Sequence, residues 1–234
     1  MNPADIRRDY SAGALGRADL SANPIRQFQD WFAVANGEKS GSRWRTISIA
    51  LFKLWHAFLG HSPLEVNAMV LATVDKDGKP STRTVLLKGL DDRGFIFFTN
   101  YDSRKGRELA ENPSAALTFY WPELERQVCV AGTVSKVPVA ESEAYFKSRP
   151  RASRLAAWAS NQSDTIPDRA ALEEKFDEMS VKFTGEIPLP PNWGGYVLKP
   201  ERVEFWQGRL SRMHDRFCYI RQSDNSWKLD RLSP

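Results

Sequence analysis

The sequence predicts a mainly β protein, an antiparallel barrel with helical decorations, and three observations carry that expectation. Apolar runs of strand length recur from Ala68 onward, Gly, Asp and Pro turns separate them, and helical segments fall at the N-terminus and between strands. At 234 residues, 41% hydrophobic and 12% aromatic, the chain can bury a substantial core.

Taken in order, residues 1–35 read as an N-terminal helical arm of two segments. Pro24 suits the first turn of the second, and Phe28, Trp31 and Phe32 recur at helical spacing. Residues 36–65 form an aromatic-rich insert. Its stretch ISIALFKLWHAFLG is interrupted by Lys53 and His56 and is too short to span a bilayer, so no transmembrane segment is expected. Packing on its own subunit or a partner is the ordinary reading, and an interfacial amphipathic helix is the other.

Residues 66–234 carry the barrel. AMVLATV is a buried strand, DKDGKP a turn, STRTVLLK a second strand, GLDDRG another turn and FIFFTN a third strand, together an antiparallel meander. Asp102 or Ser103 can cap a helix that runs to Asn112 and stops at Pro113. Strands over 115–121 and 127–137 follow, then helical segments over 139–147, 152–160 and 168–183. The Pro-rich IPLPPNWGG leads into strands near 196–198, 203–207, 217–221 and 227–229.

Composition narrows the function. The 33 basic residues are interspersed with 29 acidic ones, so the net charge of +4 suggests local anion sites rather than a nucleic-acid surface. Cys129 and Cys218 make no disulfide framework, and their apolar neighbours suggest buried thiols in a reducing compartment. The first ten residues lack a secretory apolar core, and the expected location is cytoplasmic. No Gly-rich phosphate loop, CxxC, HExxH or GxSxG occurs, which removes the usual footing for nucleotide hydrolysis, metal chemistry and serine hydrolysis.

Three constellations remain. Arg83 and Lys88 on one strand, with Arg104 and Lys105 in the first turn of a capped helix, suit a phosphate, and Thr99 can add a hydroxyl. Arg83 and Lys88 are five apart and should face opposite ways on a regular strand, so either a bulge re-aims one or the two serve different groups. In EFWQGRLSRMHDR, the alternation of Arg212, His214 and Arg216 puts all three on one side of an extended segment, where His can handle a proton and Arg can bind or polarise. Tyr145, Arg149 and Ser153 form a stripe if helical geometry carries through Pro150, and such a stripe suits a second phosphate. Each base alone reads as a solvated surface charge; together they suggest a phosphorylated cofactor beside a phosphorylated substrate.

At these residues the chain resembles the pyridoxamine 5'-phosphate oxidase family. The resemblance rests on RRDY, NAMVLATVD, RTVLLKG, FFTNYDSRKG, ERQVCVAG, YFKSRPRAS, WASNQS, PLPPNWGGY, HDRFCYIR and WKLDRLSP, and most specifically on EFWQGRLSRMHDR. It covers most of the chain outside the insert.

The resemblance implies an FMN-binding split β-barrel that works as a homodimer with FMN at the subunit interface. It implies FMN contacts from Arg83, Thr84, Val85, Leu86, Leu87 and Lys88, from Phe98, Thr99, Arg104 and Lys105, and from Gln127, Gln162, Ser163, Trp206 and Arg216. Substrate contacts would come from Arg7, Arg8, Asp9 and Tyr10 on a mobile arm, from Lys88, Tyr145, Arg149 and Ser153 at the phosphate, and from Arg212, Met213 and His214. Arg212 and His214 would be the catalytic pair. The implied reaction oxidises pyridoxine 5'-phosphate or pyridoxamine 5'-phosphate to pyridoxal 5'-phosphate, with O2 as acceptor. Two departures stand out: Phe98 where some relatives have Tyr, and the insert around 41–61, which could add an interface, cover the cleft or touch a membrane surface. The rival readings are a non-catalytic carrier or sensor of FMN or pyridoxal phosphate, and a flavin reductase of the same fold.

Overall fold

The computed structural model describes residue 2, residues 9–38 and residues 65–234. Arg7, Arg8 and nearly all of the 36–65 insert therefore lie outside the described residues.

Nine strands dominate the described residues: β1 (Ala68–Val74), β2 (Pro80–Leu86), β3 (Gly89–Asp91), β4 (Gly94–Asn100), β5 (Ser114–Trp121), β6 (Arg126–Lys136), β7 (Trp193–Gln207), β8 (Asp215–Arg221) and β9 (Trp227–Leu232). They hydrogen-bond in the order β2-β1-β5-β6-β7-β4-β3, with β8 on β7 and β9 on β8. The fold class is the mainly β one that the sequence predicts. The meander is not observed: β4 pairs with β7 and β3, whereas β2 pairs with β1 at the other end of the order. GLDDRG is the reason. Its first three residues are the strand β3, paired Gly89 to Ile96 and Asp91 to Gly94, so only Asp92 and Arg93 remain for the turn.

β7 also differs from expectation, being one strand of 15 residues rather than two. Its first half pairs with β4 through Trp193 to Leu198, and its second half with β8 through Arg202 to Gln207. Pro200, which has no N–H to donate, sits between those two registers.

The helices are α1 (Pro24–Asn36), α2 (Arg104–Glu111), α3 (Val139–Ser148), α4 (Arg151–Ala159) and α5 (Arg169–Lys182). Of the two N-terminal segments expected, the second is α1; ahead of it the described residues hold one short 3-10 turn, Arg17–Asp19. α3 and α4 are separate. Arg149 between them is extended at φ −72°, ψ 148°, because Pro150 disfavours helical backbone in the residue before it.

The chain forms two compact units. One comprises Met1–Leu71, Ala116–Ala131 and Pro200–Pro234. Its core is aromatic: Phe28 is fully buried with its ring 4.7 Å from Phe119 and 5.9 Å from Trp121, and Trp31 meets Phe205 edge-on at 5.1 Å. This is the face that the Phe28, Trp31, Phe32 spacing anticipates, and each ring buried there contributes roughly 1.5–3 kcal/mol. Asn23 starts α1 by accepting the Ile25 N–H at 2.8 Å, with Pro24 in the first turn.

The other unit comprises Ala72–Ala115 and Gly132–Lys199. Here Phe146, Leu155, Ile187 and Trp193 form a buried cluster, with Phe98, Tyr145 and Trp158 packed against it. α3, α4 and α5 are thereby fixed beside the end of β4.

Candidate active site

The Ala72–Ala115 and Gly132–Lys199 unit contains a cavity of about 830 Å³, a volume typical of a small-molecule site. The structure brings together there Arg83, Thr84, Val85, Leu86, Lys88, Phe98, Thr99, Arg104, Lys105, Tyr145, Arg149, Ser153, Gln162 and Ser163. Leu87 is buried and does not line it. Trp193, Asn100 and Ser160 line it as well, and sequence reasoning missed them.

Strand parity does not separate Arg83 from Lys88. β2 ends at Leu86, and Lys88 lies on the link into β3 with its N–H donated to the Ile96 carbonyl at 2.8 Å. The break lets both cations line one cavity. Nor does the stripe of Tyr145, Arg149 and Ser153 need a continuous helix. α3 supplies the first, the extended joint the second and α4 the third.

Charge decides what this cavity takes. Arg83, Lys88, Arg104, Lys105 and Arg149 line it, and among the described residues no Asp or Glu does. Behind the wall, buried Glu108 accepts from Ser81 at 2.6 Å, from Arg83 at 3.1 Å, from Arg104 at 2.8 Å and from Thr73. Burial raises the Glu108 pKa, but these hydrogen bonds overcome it and hold the carboxyl down at about 2. One carboxylate thus braces two of the five cations and leaves a surplus of positive charge.

Lys105 is more exceptional. It is buried, and its ammonium donates only to neutral groups: Thr99 at 3.1 Å, Ser103 at 3.2 Å and Gln162 at 2.8 Å. Desolvation, and then the charge of Arg83, bring its pKa down to about 8. Ser103 caps α2, and the Ser163 hydroxyl accepts the Arg104 N–H at 3.2 Å. A helix N-terminus, a buried ammonium and two guanidinium groups so placed have the chemistry that suits a phosphate.

Arg149 offers a second cationic position on the cavity wall. Its guanidinium lies 4.8 Å from the Trp193 ring centre, and its buried Nη1 has no hydrogen-bond partner among the described residues. Desolvation lowers its pKa, with Tyr145 opposing. The wall beside it is a near-parallel stack: Phe98 on Tyr145 at 4.0 Å and 22°, and Phe98 on Trp193 at 5.6 Å and 11°. Gly195 makes room for Phe98, since a Cβ there would stand 2.7 Å from the Phe98 ring.

The other predicted residues belong to the Met1–Leu71, Ala116–Ala131 and Pro200–Pro234 unit. Arg212, His214 and Arg216 do not alternate on an extended segment. Leu210–Arg212 is a 3-10 turn in which Ser211 and Arg212 have φ of 56° and 61°, and only Arg216 lies on β8. Arg212 and Met213 are exposed. His214 packs 4.7 Å from Trp206, with Tyr10 edge-on to both at 5.6 Å. Its Nδ1 accepts the Arg209 N–H at 3.1 Å, which leaves Nε2 as the ring's donor. Burial, then the charges of Arg212 and Arg216, lower its pKa and favour the neutral ring. Arg216 donates to Glu204 at 2.8 Å and to the Ser233 carbonyl at 2.9 Å. Gln127 donates to Cys129 at 3.3 Å. Asp9 is exposed.

A mainly β sheet protein whose cavity joins an aromatic wall to five cationic side chains belongs to the class that binds anionic ring compounds. Residues 57–183 match the family model described as Pyridoxamine 5'-phosphate oxidase, and residues 193–234 that described as Pyridoxine 5'-phosphate oxidase C-terminal dimerisation region. The chain is 53% identical over 231 residues to Pyridoxine/pyridoxamine 5'-phosphate oxidase 1 of Ralstonia nicotianae, covering 99% of this chain and 98% of that one. It is 51% identical to the enzyme so named in Paraburkholderia phytofirmans, with the same coverage. Among solved structures, PhzG from Burkholderia lata, in complex with tetrahydrophenazine-1-carboxylic acid, superposes with a TM-score of 0.78 at 31% identity, covering 93% of this chain and 95% of that one. The chain belongs to the pyridoxamine 5'-phosphate oxidase family. It is an FMN-dependent oxidoreductase, and its unit is a homodimer. Among the described residues no helix is long and apolar enough to cross a membrane.

The cavity fits FMN. Among the described residues buried Lys105 donates to Thr99, Ser103 and Gln162, all neutral, so its charge suits a phosphate, and the aromatic wall offers stacking surface. Because Lys105 titrates near pH 8, FMN affinity should fall as pH rises through that value, by up to about tenfold per unit. The ammonium exists below about pH 8; above it, binding must first add a proton. Quenching of FMN fluorescence between about pH 7 and pH 9.5 reads this out. Lys105→Met should bind weakly at every pH without that slope, and a flat wild-type profile would remove Lys105 from the phosphate site.

Proposed function

We propose that this chain oxidises pyridoxine 5'-phosphate or pyridoxamine 5'-phosphate to pyridoxal 5'-phosphate, with O2 as acceptor and H2O2 as product. The observation that carries the reading is the cavity wall, which among the described residues has five cations and no carboxylate and so suits two phosphorylated rings. When bound, FMN supplies the electron-accepting ring that takes a hydride from the substrate's C4' carbon and gives the electron pair to O2.

The chain's own residues bind, orient and hold protons. Arg83, Arg104 and Lys105 hold the cofactor phosphate, with Gln162 and Ser163 alongside. Lys88, Tyr145, Arg149 and Ser153 take the substrate phosphate. Gln127, Trp206 and Arg216 are further cofactor contacts, and Arg7, Arg8, Asp9, Tyr10 and Met213 further substrate contacts. Arg212, permanently charged, binds the substrate and eases loss of the alcohol or amine proton, while neutral His214 orders the pyridine ring. The free thiols Cys129 and Cys218 agree with a cytoplasmic setting.

The test is aerobic turnover of the FMN-loaded protein. Pyridoxine 5'-phosphate should yield pyridoxal 5'-phosphate and H2O2 in equal amounts; pyridoxamine 5'-phosphate should consume water and release ammonia as well. A yellow protein that forms neither product would support a carrier or sensor instead.

A further inference from the structure

Glu125 takes no part in the chemistry above, yet it is buried at 4% exposure in the turn between β5 and β6. The turn ends with the Glu125 N–H on the Pro122 carbonyl at 3.2 Å and with Glu125 itself at φ 52°, a left-handed backbone that non-glycine residues rarely adopt. That conformation lets one residue grip two segments of the same unit. Its Oε2 accepts the Ala12 N–H at 2.6 Å. Its carbonyl accepts the Gly208 N–H at 2.8 Å and Gln207 Nε2 at 3.2 Å. Gln207 is held further by Arg126 at 2.9 Å and by the Leu124 carbonyl at 3.1 Å, so the start of the 208–214 loop is anchored to this turn.

The N-terminal segment meets the same loop again farther on. Asp215 accepts the Leu15 N–H at 3.1 Å, and Arg209 donates to the Gly13 carbonyl at 3.4 Å. Asp215 also pairs with Arg231 on β9, so its loss would disturb the sheet; the Glu125 carboxylate reaches the arm directly, at the Ala12 N–H. Tyr10 stands two residues before Ala12, edge-on to Trp206 and His214.

Resting on the oxidase reading, we propose that Glu125 is a positioning residue for substrate: it clamps residues 10–12 onto the 207–214 loop, so that Tyr10 and His214 keep one mutual arrangement. A charge-assisted hydrogen bond from a backbone N–H to a buried carboxylate is strong enough for this task.

The test uses FMN-loaded protein and the variants Glu125→Ala, Tyr10→Ala and their double. Glu125→Ala should raise KM for pyridoxine 5'-phosphate roughly tenfold, with a smaller change in kcat, the pattern of lost substrate positioning. The double variant should be no worse than Tyr10→Ala, because Glu125 acts through the arm. Hydrogen exchange in the 9–16 peptide should quicken roughly tenfold in Glu125→Ala, and Glu125→Gln, which keeps an acceptor oxygen, should recover part of both effects. Should Glu125→Ala not fold, Glu125→Gln enters the same cycle. Multiplying KM effects in the double variant, or unaltered exchange, would overturn the proposal. If the wild type oxidises neither substrate, the oxidase reading falls, and exchange in the 9–16 peptide still decides whether Glu125 holds the arm.

Discussion

Arg212→Gln is expected to lower kcat about 10²- to 10³-fold while the protein stays yellow, the range reached when a positioned proton-handling or charge-stabilising group is lost. The cofactor phosphate is assigned to Arg83, Arg104 and Lys105 on β2 and α2, which the substitution leaves alone. The backbone cost is also matched, because Gln must adopt the same φ of 61° that Arg212 adopts beside Ser211 at 56°. Two consecutive left-handed residues store strain of order 1–3 kcal/mol each, which the Met213 N–H bond to the Leu210 carbonyl, at 3.1 Å, helps to hold. Such strain is justified if the turn exists to present one side chain. Steady-state kinetics with the flavin absorbance recorded in parallel measures both quantities. Undiminished kcat would take Arg212 out of the chemistry; loss of colour would make it a cofactor ligand.

How far the sequence carried the fold depended on whether a signal was local. The cap at Ser103, the stop at Pro113 and the spacing of Phe28, Trp31 and Phe32 each act within one or two turns, and all three hold in the structure. The period-2 burial of Ala115, Leu117, Phe119 and Trp121 on β5 is of the same kind. GLDDRG misled because a strand of three residues is defined by its partner β4, not by its own composition. β7 was divided because Pro200 reads as a break, although it falls where the strand changes partner.

The site shows the same division. Arg83, Arg104 and Lys105 were legible as charge beside a helix start, while Gln162 and Ser163 came from family resemblance alone; the structure puts all five around one cavity. Trp193 was missed because its stacking on Phe98 and Tyr145 joins three distant parts of the chain without a periodic trace. The turn at Leu210–Arg212 was missed because Ser and Arg hold the positive φ values that a sequence normally signals with Gly or Asn. Glu125 escaped for that reason too. Strained backbone without its usual residues is a tertiary property, which a local sequence pattern does not carry.

Arg149→Met should separate binding from stability more sharply than any other substitution in the cavity. Among the described residues Arg149 Nη1 is buried without a hydrogen-bond partner, and no carboxylate lines the cavity wall beside it. Desolvation of this half-buried guanidinium costs stability, whereas Met would keep contact with Trp193 and carry no charge. On the proposed reading Arg149 takes the substrate phosphate: a guanidinium can meet it with two parallel N–H donors, and losing such a pair costs about 2–5 kcal/mol. KM for pyridoxine 5'-phosphate should therefore rise about 10²-fold or more, while the thermal midpoint of the FMN-loaded protein without substrate holds or increases. Arg149→Lys should recover little of the loss, since one ammonium cannot reproduce the planar fork. Unchanged KM in Arg149→Met would move the substrate phosphate elsewhere in the cavity. A fall in the midpoint together with raised KM would mean that stacking on Trp193, rather than a charge held ready for phosphate, is what Arg149 contributes.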